Sequence, residues 1–218
     1  MNPHELTNGF VQFVIFLFST TCHEAAHAFA AKRGGDLTAF YGGQASLNPL
    51  PHIRREPVGM ILVPLLCFAV GSPMIGWASA PYDPRWARRY PRRAGLMSLA
   101  GPMANFALVL IAALFLNLGA ATGFFKNEQA EGIVIFFGLL FSLNILLGVF
   151  NLIPIPPLDG FTVLALFLPE STALRLFDFG VQIRRFSFVA LLLGWQYFGS
   201  ILGPIKGMAV HYLLPLLH

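Results

Sequence analysis

The chain has 218 residues, of which 56% are apolar and only 11% are charged, and its formal net charge is +4. Soluble domains carry about a quarter charged residues, so this composition indicates an integral membrane protein and leaves no room for a separate soluble recruiting domain such as a PDZ module. The basic residues lie in short clusters between apolar segments, which is typical of cytoplasmic loops that meet anionic lipid headgroups and does not favour a nucleic-acid partner.

The first predicted element is an apolar helix over residues 8–31, long enough to span a bilayer. It contains the run His23-Glu24-Ala25-Ala26-His27. Residues i and i+4 share one helix face, so both imidazoles can reach one metal ion, and Glu24 is near enough to act on a water beside that ion. Ionisable side chains at membrane depth are costly unless they have partners. The run therefore predicts a metal site, the alternative being a histidine pair packed in the helix interior.

The next segment, residues 36–56, is rich in Gly, Thr, Asn and Pro and predicts short extended pieces. We expect strands at 37–40 and 44–47, whose edge could pair with a substrate unwound from its helix. His52 lies in this segment and is a candidate neighbour of the site, although a structural hydrogen bond is its more ordinary role.

The short apolar run at residues 58–70 contains Pro64 and ends at Gly71-Ser72-Pro73. A full crossing would place the basic clusters on its two sides in different compartments. A re-entrant hairpin keeps them together and is the favoured interpretation.

Four segments are long and apolar enough to be full spans: 8–31, 94–118, 132–152 and 186–217. Residues 161–180 predict a helix lying at the surface. Gly203-Pro204 breaks the last stretch into one span and a second short helix or re-entrant piece. The predicted fold class is an all-α polytopic membrane protein, with four to six transmembrane or re-entrant helices around a buried metal site and a small extended segment near residues 36–50.

A catalytic zinc site generally takes three protein ligands and leaves one position open, so two histidines are incomplete. Only Glu24 and Asp159 are acids in strongly apolar surroundings. Asp159 follows the span at 132–152 at its cytoplasmic end, and His23 lies in the cytoplasmic third of the first span, so their depths match. Prolines before Asp159 break the helix and free the chain to aim the carboxylate inward. Asp159 is therefore the expected third ligand, the alternative being an ordinary turn.

Asn105, Asn144 and Asn151 lie in the apolar spans, where their amides need hydrogen-bond partners. Asn105 could orient a substrate carbonyl or stabilise a developing oxyanion, and an interhelical hydrogen bond is an equally open alternative. Asn151 is a candidate partner of a metal ligand, and Asn144 is interpreted as a packing residue.

At this point the motifs resemble a known family. His23-Glu24-Ala25-Ala26-His27 together with the run from Asn151 to Gly160 is similar to the site-2 protease family of intramembrane zinc metalloproteases. The stretches 46–53 and 99–105 resemble a short prokaryotic branch of that family without PDZ or CBS domains. Two departures from that branch, Ser79-Ala80 and Arg54, lie outside the metal site and concern loop or substrate contacts.

The resemblance implies one Zn²⁺ per chain, with His23, His27 and Asp159 as its ligands and Glu24 as the catalytic base. It also implies hydrolysis of peptide bonds within or next to transmembrane segments of other membrane proteins, that is, regulated intramembrane proteolysis. The expected partners are transmembrane protein substrates and the lipid bilayer.

The expected location is a prokaryotic inner membrane, with the active site toward the cytoplasm. We expect one membrane metalloprotease domain over residues 1–218, with a core at 8–161 and C-terminal membrane helices at 162–218. A non-proteolytic zinc-binding membrane protein, such as a metal carrier or a scaffold, is the alternative.

Overall fold

A computed structural model of the chain describes residues 3–70, 74–126 and 130–217. In those ranges every regular element is helical, and none is a strand. In chain order the α-helices are α1 (Pro3–Gly34), α2 (Thr38–Tyr41), α3 (Pro49–Arg55), α4 (Val63–Ala69), α5 (Pro84–Arg89), α6 (Pro91–Ala121), α7 (Glu131–Asn151), α8 (Asp159–Val163), α9 (Glu170–Ile183) and α10 (Ser187–Leu213). A π-helical turn at Val58–Leu62 leads directly into α4.

Helix α6 is the centre of the molecule, because it packs along both α1 and α7 and also contacts α8. Small residues on α6, among them Ala112 and Ala113, are buried where these helices meet. They belong to one core cluster with the larger side chains Ile15 of α1 and Phe141 of α7. Small residues let helices approach closely, which membrane helices need because lipid supplies no hydrophobic force between them.

Among the described residues, α6 and α7 are long and apolar enough to cross a bilayer. They agree with the spans expected at 94–118 and 132–152. The other two expected spans correspond to α1, with 32 residues, and α10, with 27 residues. The break expected at Gly203-Pro204 is wrong, because α10 continues through Pro204. Membrane crossing by α1 and α10 stays a prediction, and so does the total number of spans.

The strands expected at 37–40 and 44–47 are wrong. The structure describes this whole segment, with α2 in the first part, turns and bends over residues 42–47, and α3 beginning at Pro49. Asp36 explains the first error, because its carboxylate accepts hydrogen bonds from the backbone and the hydroxyl of Thr38 and so starts a helical turn. Asn48 explains the second, since its side chain caps the first turn of α3. Local side-chain capping therefore overrides the extended pattern near residues 36–50.

The two ends of the segment between α3 and α5 lie next to each other. The Ser79 hydroxyl donates a hydrogen bond of 2.5 Å to the Glu56 carboxylate, and the Trp77 amide donates one of 3.2 Å to the Gly59 carbonyl. The ends of the segment thus lie side by side, as a re-entrant hairpin requires. The turn expected at Gly71-Ser72-Pro73 lies outside the described residues. Ser79, one of the two departures from the family branch, has a structural contact here.

The helix expected at 161–180 is divided in the structure. Asp159 begins the short α8, a 3₁₀ turn follows at Leu164–Leu166, and the longer α9 begins only at Glu170. An ion pair between Arg88 of α5 and Asp178 of α9 joins these two helices.

Candidate metal centre

Three side chains from distant parts of the chain bring their donor atoms to one point. His23 and His27 lie one turn apart on α1, and Asp159 is the first residue of α8. The Nε2 atoms of the histidines are 3.0 Å apart, and Asp159 Oδ2 lies 3.0 Å from His23 Nε2 and 3.3 Å from His27 Nε2. The structure therefore brings together the three residues that the sequence predicts as metal ligands.

The hydrogen bonds of the two Nδ1 atoms determine the tautomer of each imidazole, and so whether an Nε2 lone pair faces this point. His27 Nδ1 is 2.7 Å from the Met97 carbonyl oxygen, and His23 Nδ1 is 2.6 Å from Asn105 Oδ1. A carbonyl only accepts, so His27 carries a proton on Nδ1, and the neutral ring then turns the lone pair of Nε2 inward. The Asn105 oxygen places His23 in the same tautomer.

This donor set fits zinc. With both rings neutral, two nitrogen lone pairs and a carboxylate oxygen face one another, an arrangement that repels unless a cation lies among them. Ligands bound to a tetrahedral zinc at its usual bond lengths are separated by about 3.3 Å, and the three observed separations are close to that value. Two imidazoles and a carboxylate are also ligands that catalytic zinc sites use.

Gly101 on α6 forms the wall of the centre. A Cβ atom at this position would lie 2.4 Å from His27 Nε2 and 2.5 Å from His23 Nε2. The bare backbone of Gly101 thus leaves the space that a metal or a reacting group would occupy. The motif at residues 99–105 does not by itself single out Gly101, although a Gly-Pro pair inside a long helix is a signal for such a close approach.

A second glycine brings the carboxylate into place. The turn after α7 folds back tightly, so that a Cβ atom at Gly160 would lie 2.2 Å from the Leu152 carbonyl oxygen. Only glycine permits this close approach of α8 to the end of α7. The prolines before Asp159 break the helix as expected, and Gly160 lets the next helix start beside it.

Glu24 is 5% exposed and lies beside the donors on α1. Its carboxylate makes no hydrogen bond or ion pair with any residue that the structure describes. An unpaired carboxylate at this depth is costly, and a nearby cation would offset that cost. The Glu24 carboxylate is therefore free to accept a proton from a water or to hydrogen-bond a substrate.

Asn105 is fully buried, and both ends of its amide are engaged. Its oxygen contacts His23 Nδ1, and its nitrogen donates a hydrogen bond of 2.8 Å to the Asn144 side chain. The structure therefore places Asn105 against the predicted ligand His23, on the Nδ1 side of its ring.

The remaining two candidates have partners elsewhere. The Asn151 amide donates to the Leu147 carbonyl of its own helix, at 3.0 Å. His52 is buried in α3, where its Nε2 lies 3.1 Å from the Ser46 carbonyl oxygen. Neither hydrogen bond reaches the three donors.

The sequence model of Peptidase family M50 matches residues 117–194, a range that includes α7 and Asp159. A Bacillus subtilis (strain 168) protein named "Putative zinc metalloprotease YwhC" is 34% identical over 182 residues, covering 82% of this chain and 77% of that protein. A Mycobacterium tuberculosis (Erdman strain) protein named "Putative zinc metalloprotease Rip2" is 33% identical over 192 residues, covering 85% of this chain and 69% of that protein. No solved structure matches the chain.

Proposed function

Because the chain belongs to peptidase family M50, the site-2 protease family, we propose that it is a zinc metalloprotease that hydrolyses peptide bonds within or next to transmembrane segments of membrane proteins. One observation carries this proposal: His23, His27 and Asp159 converge, and Glu24, the neighbour of His23 on α1, is buried without a hydrogen bond or ion pair to a described residue. Three ligands alone would serve a carrier or a scaffold equally well. A free carboxylate next to them is what hydrolysis requires and what metal storage does not.

The chemistry divides between the ion and the chain. When bound by His23, His27 and Asp159, zinc supplies Lewis acidity, which polarises a carbonyl and makes a neighbouring water acidic near neutral pH. Glu24 accepts the proton of the attacking water and returns a proton to the amide nitrogen of the leaving peptide. The Met97 carbonyl orients the His27 ring through its hydrogen bond with Nδ1.

The charge distribution supports a site toward the cytoplasm. The basic end of α1, at Lys32 and Arg33, meets the start of α6, where the Arg93 guanidinium donates a hydrogen bond of 3.1 Å to the Gly34 carbonyl. Clusters of Lys and Arg favour the cytoplasmic side. His23 lies 11 positions before Gly34, which is about 16 Å along a helix. A substrate peptide bond at the same depth would lie inside the apolar part of a spanning helix.

The test is cleavage of single-span test substrates by the purified full-length protein in liposomes. We expect fragments whose new ends, located by mass spectrometry, lie within or next to the apolar segment. A membrane-permeant zinc chelator should abolish the cleavage, and added zinc should restore it. Cleavage confined to distant soluble loops, or cleavage that survives chelation, would contradict the proposal.

The third ligand has its own prediction. Asp159→Ala removes the only carboxylate of the donor set. Loss of a residue that merely supports a ligand weakens metal binding by roughly 10-fold to 100-fold. Because Asp159 is itself a predicted ligand, we expect the zinc dissociation constant to rise by at least that factor. Zinc content after dialysis against buffered zinc measures this change. Asp178→Ala is the matched control, because this aspartate pairs with Arg88 at the surface. Equal zinc content in Asp159→Ala and wild type would refute Asp159 as a ligand.

A further inference from the structure

A line of buried hydrogen bonds runs from the backbone of α7 to His23. Asn144 Nδ2 donates to the Leu140 carbonyl oxygen at 2.8 Å and to Ser19 Oγ at 2.9 Å. Asn105 Nδ2 donates to Asn144 Oδ1 at 2.8 Å, and Asn105 Oδ1 lies 2.6 Å from His23 Nδ1. The line thus joins α7, α6 and α1 at the site.

The Leu140 carbonyl sets the direction of every bond in this line, because a carbonyl oxygen can only accept. Asn144 must turn its nitrogen toward Leu140 and its oxygen toward Asn105. Asn105 must then offer its nitrogen to Asn144 and its oxygen to His23. His23 must in turn carry its proton on Nδ1, which leaves the Nε2 lone pair facing His27.

Burial makes this order costly to reverse. Ser19, Asn105 and Asn144 are each 0% exposed, so water cannot replace a lost partner. Turning either amide around would place two acceptors or two donors face to face in the protein interior. The two histidines differ in this respect, since His27 receives its orientation directly from the Met97 carbonyl.

We propose that Asn144 is a positioning residue of the metal centre: acting through Asn105, it fixes the tautomer and the ring orientation of His23. The inference rests on the proposed function insofar as His23 is a zinc ligand. It assigns a role in the site to a residue that makes no hydrogen bond to a ligand or to Glu24 and that the sequence suggested only as packing.

The test compares zinc dissociation constants of the purified full-length protein in detergent, measured by competition with zinc buffers. We expect Asn144→Leu to bind zinc about 10-fold more weakly than wild type, at the lower end of the effect of removing a ligand's supporting partner. Asn117→Leu is the matched control. Asn117 also lies at a helix contact, where its amide donates to the Ala113 and Leu213 carbonyls far from His23. We expect its zinc affinity to equal that of wild type.

A double-mutant cycle separates positioning from a merely structural role. If Asn144 acts through Asn105, adding Asn144→Leu to Asn105→Leu should weaken zinc binding no further, although thermal stability can fall. Should Asn144→Leu fail to fold, the smaller Asn144→Ala carries the same expectations.

Two results would overturn the inference while leaving the proposed function intact. One is zinc affinity in Asn144→Leu equal to that in Asn117→Leu. The other is a loss of affinity of the same size in the Asn105→Leu background. A wild-type protein that binds no zinc would instead refute the proposed function, and this inference with it.

Discussion

Replacing Gly101 by alanine is expected to remove zinc binding and proteolysis together. The added methyl carbon would lie 2.4 Å and 2.5 Å from the Nε2 atoms of His27 and His23, far inside van der Waals contact. Both nitrogens belong to side chains held from behind, by the Met97 carbonyl and by Asn105, so neither can withdraw without losing a buried hydrogen bond. We expect zinc affinity to fall by more than about 100-fold, beyond the range found when a supporting partner is removed.

Zinc content and cleavage of a single-span substrate measure this effect in the same preparation. Gly138→Ala on α7 is the matched control, because its Cβ would meet nothing within 4 Å. Alanine favours a helix over glycine, so this control should keep its zinc and its stability. If Gly101→Ala bound zinc like Gly138→Ala, α6 could not form the wall of the metal centre.

Glu24→Gln is expected to separate zinc binding from proteolysis. The amide has nearly the same shape as the carboxylate and contacts none of the three donors through a hydrogen bond, so the site should still hold one zinc per chain. The glutamine amide cannot accept the proton of the attacking water. General acid–base catalysis contributes about 10²-fold to 10⁴-fold, and we expect cleavage to fall by about 10³-fold.

The control for Glu24→Gln is the same substitution at Glu56. The Glu56 side chain accepts a hydrogen bond from the Ser79 hydroxyl, and the amide oxygen of glutamine can accept it equally. Glu56→Gln should therefore keep both zinc and cleavage. Undiminished turnover by Glu24→Gln, in a preparation freed of contaminating protease, would remove Glu24 from the mechanism. Loss of zinc from the same variant would show instead that Glu24 helps to hold the metal.

Parts of the fold could be predicted because they depend on neighbours along the chain. The apolar runs of α6 and α7 have the length and composition of spans, whatever they pack against. The strands expected within residues 36–50 failed for a local reason as well. The Asp36 side chain forms a turn with Thr38, and the Asn48 side chain caps α3, signals present in the sequence but outweighed by the extended pattern.

The sequence by itself determined the donor set of the candidate centre. His23 and His27 share a helix face through the period of the α-helix, and Asp159 was identified because an apolar chain contains so few acids at matching depth. These inferences require only spacing and composition.

Only the tertiary structure decided what surrounds those donors. Asn105 lies 82 positions from His23 along the chain, and Asn144 lies 39 positions from Asn105, so their hydrogen bonds depend on how α6 and α7 are rotated about their axes. The contact of Gly101 with both imidazoles depends on the same rotation. Helices that are apolar on all sides carry no local pattern that reveals this rotation, because it is set by the packing of one helix against another.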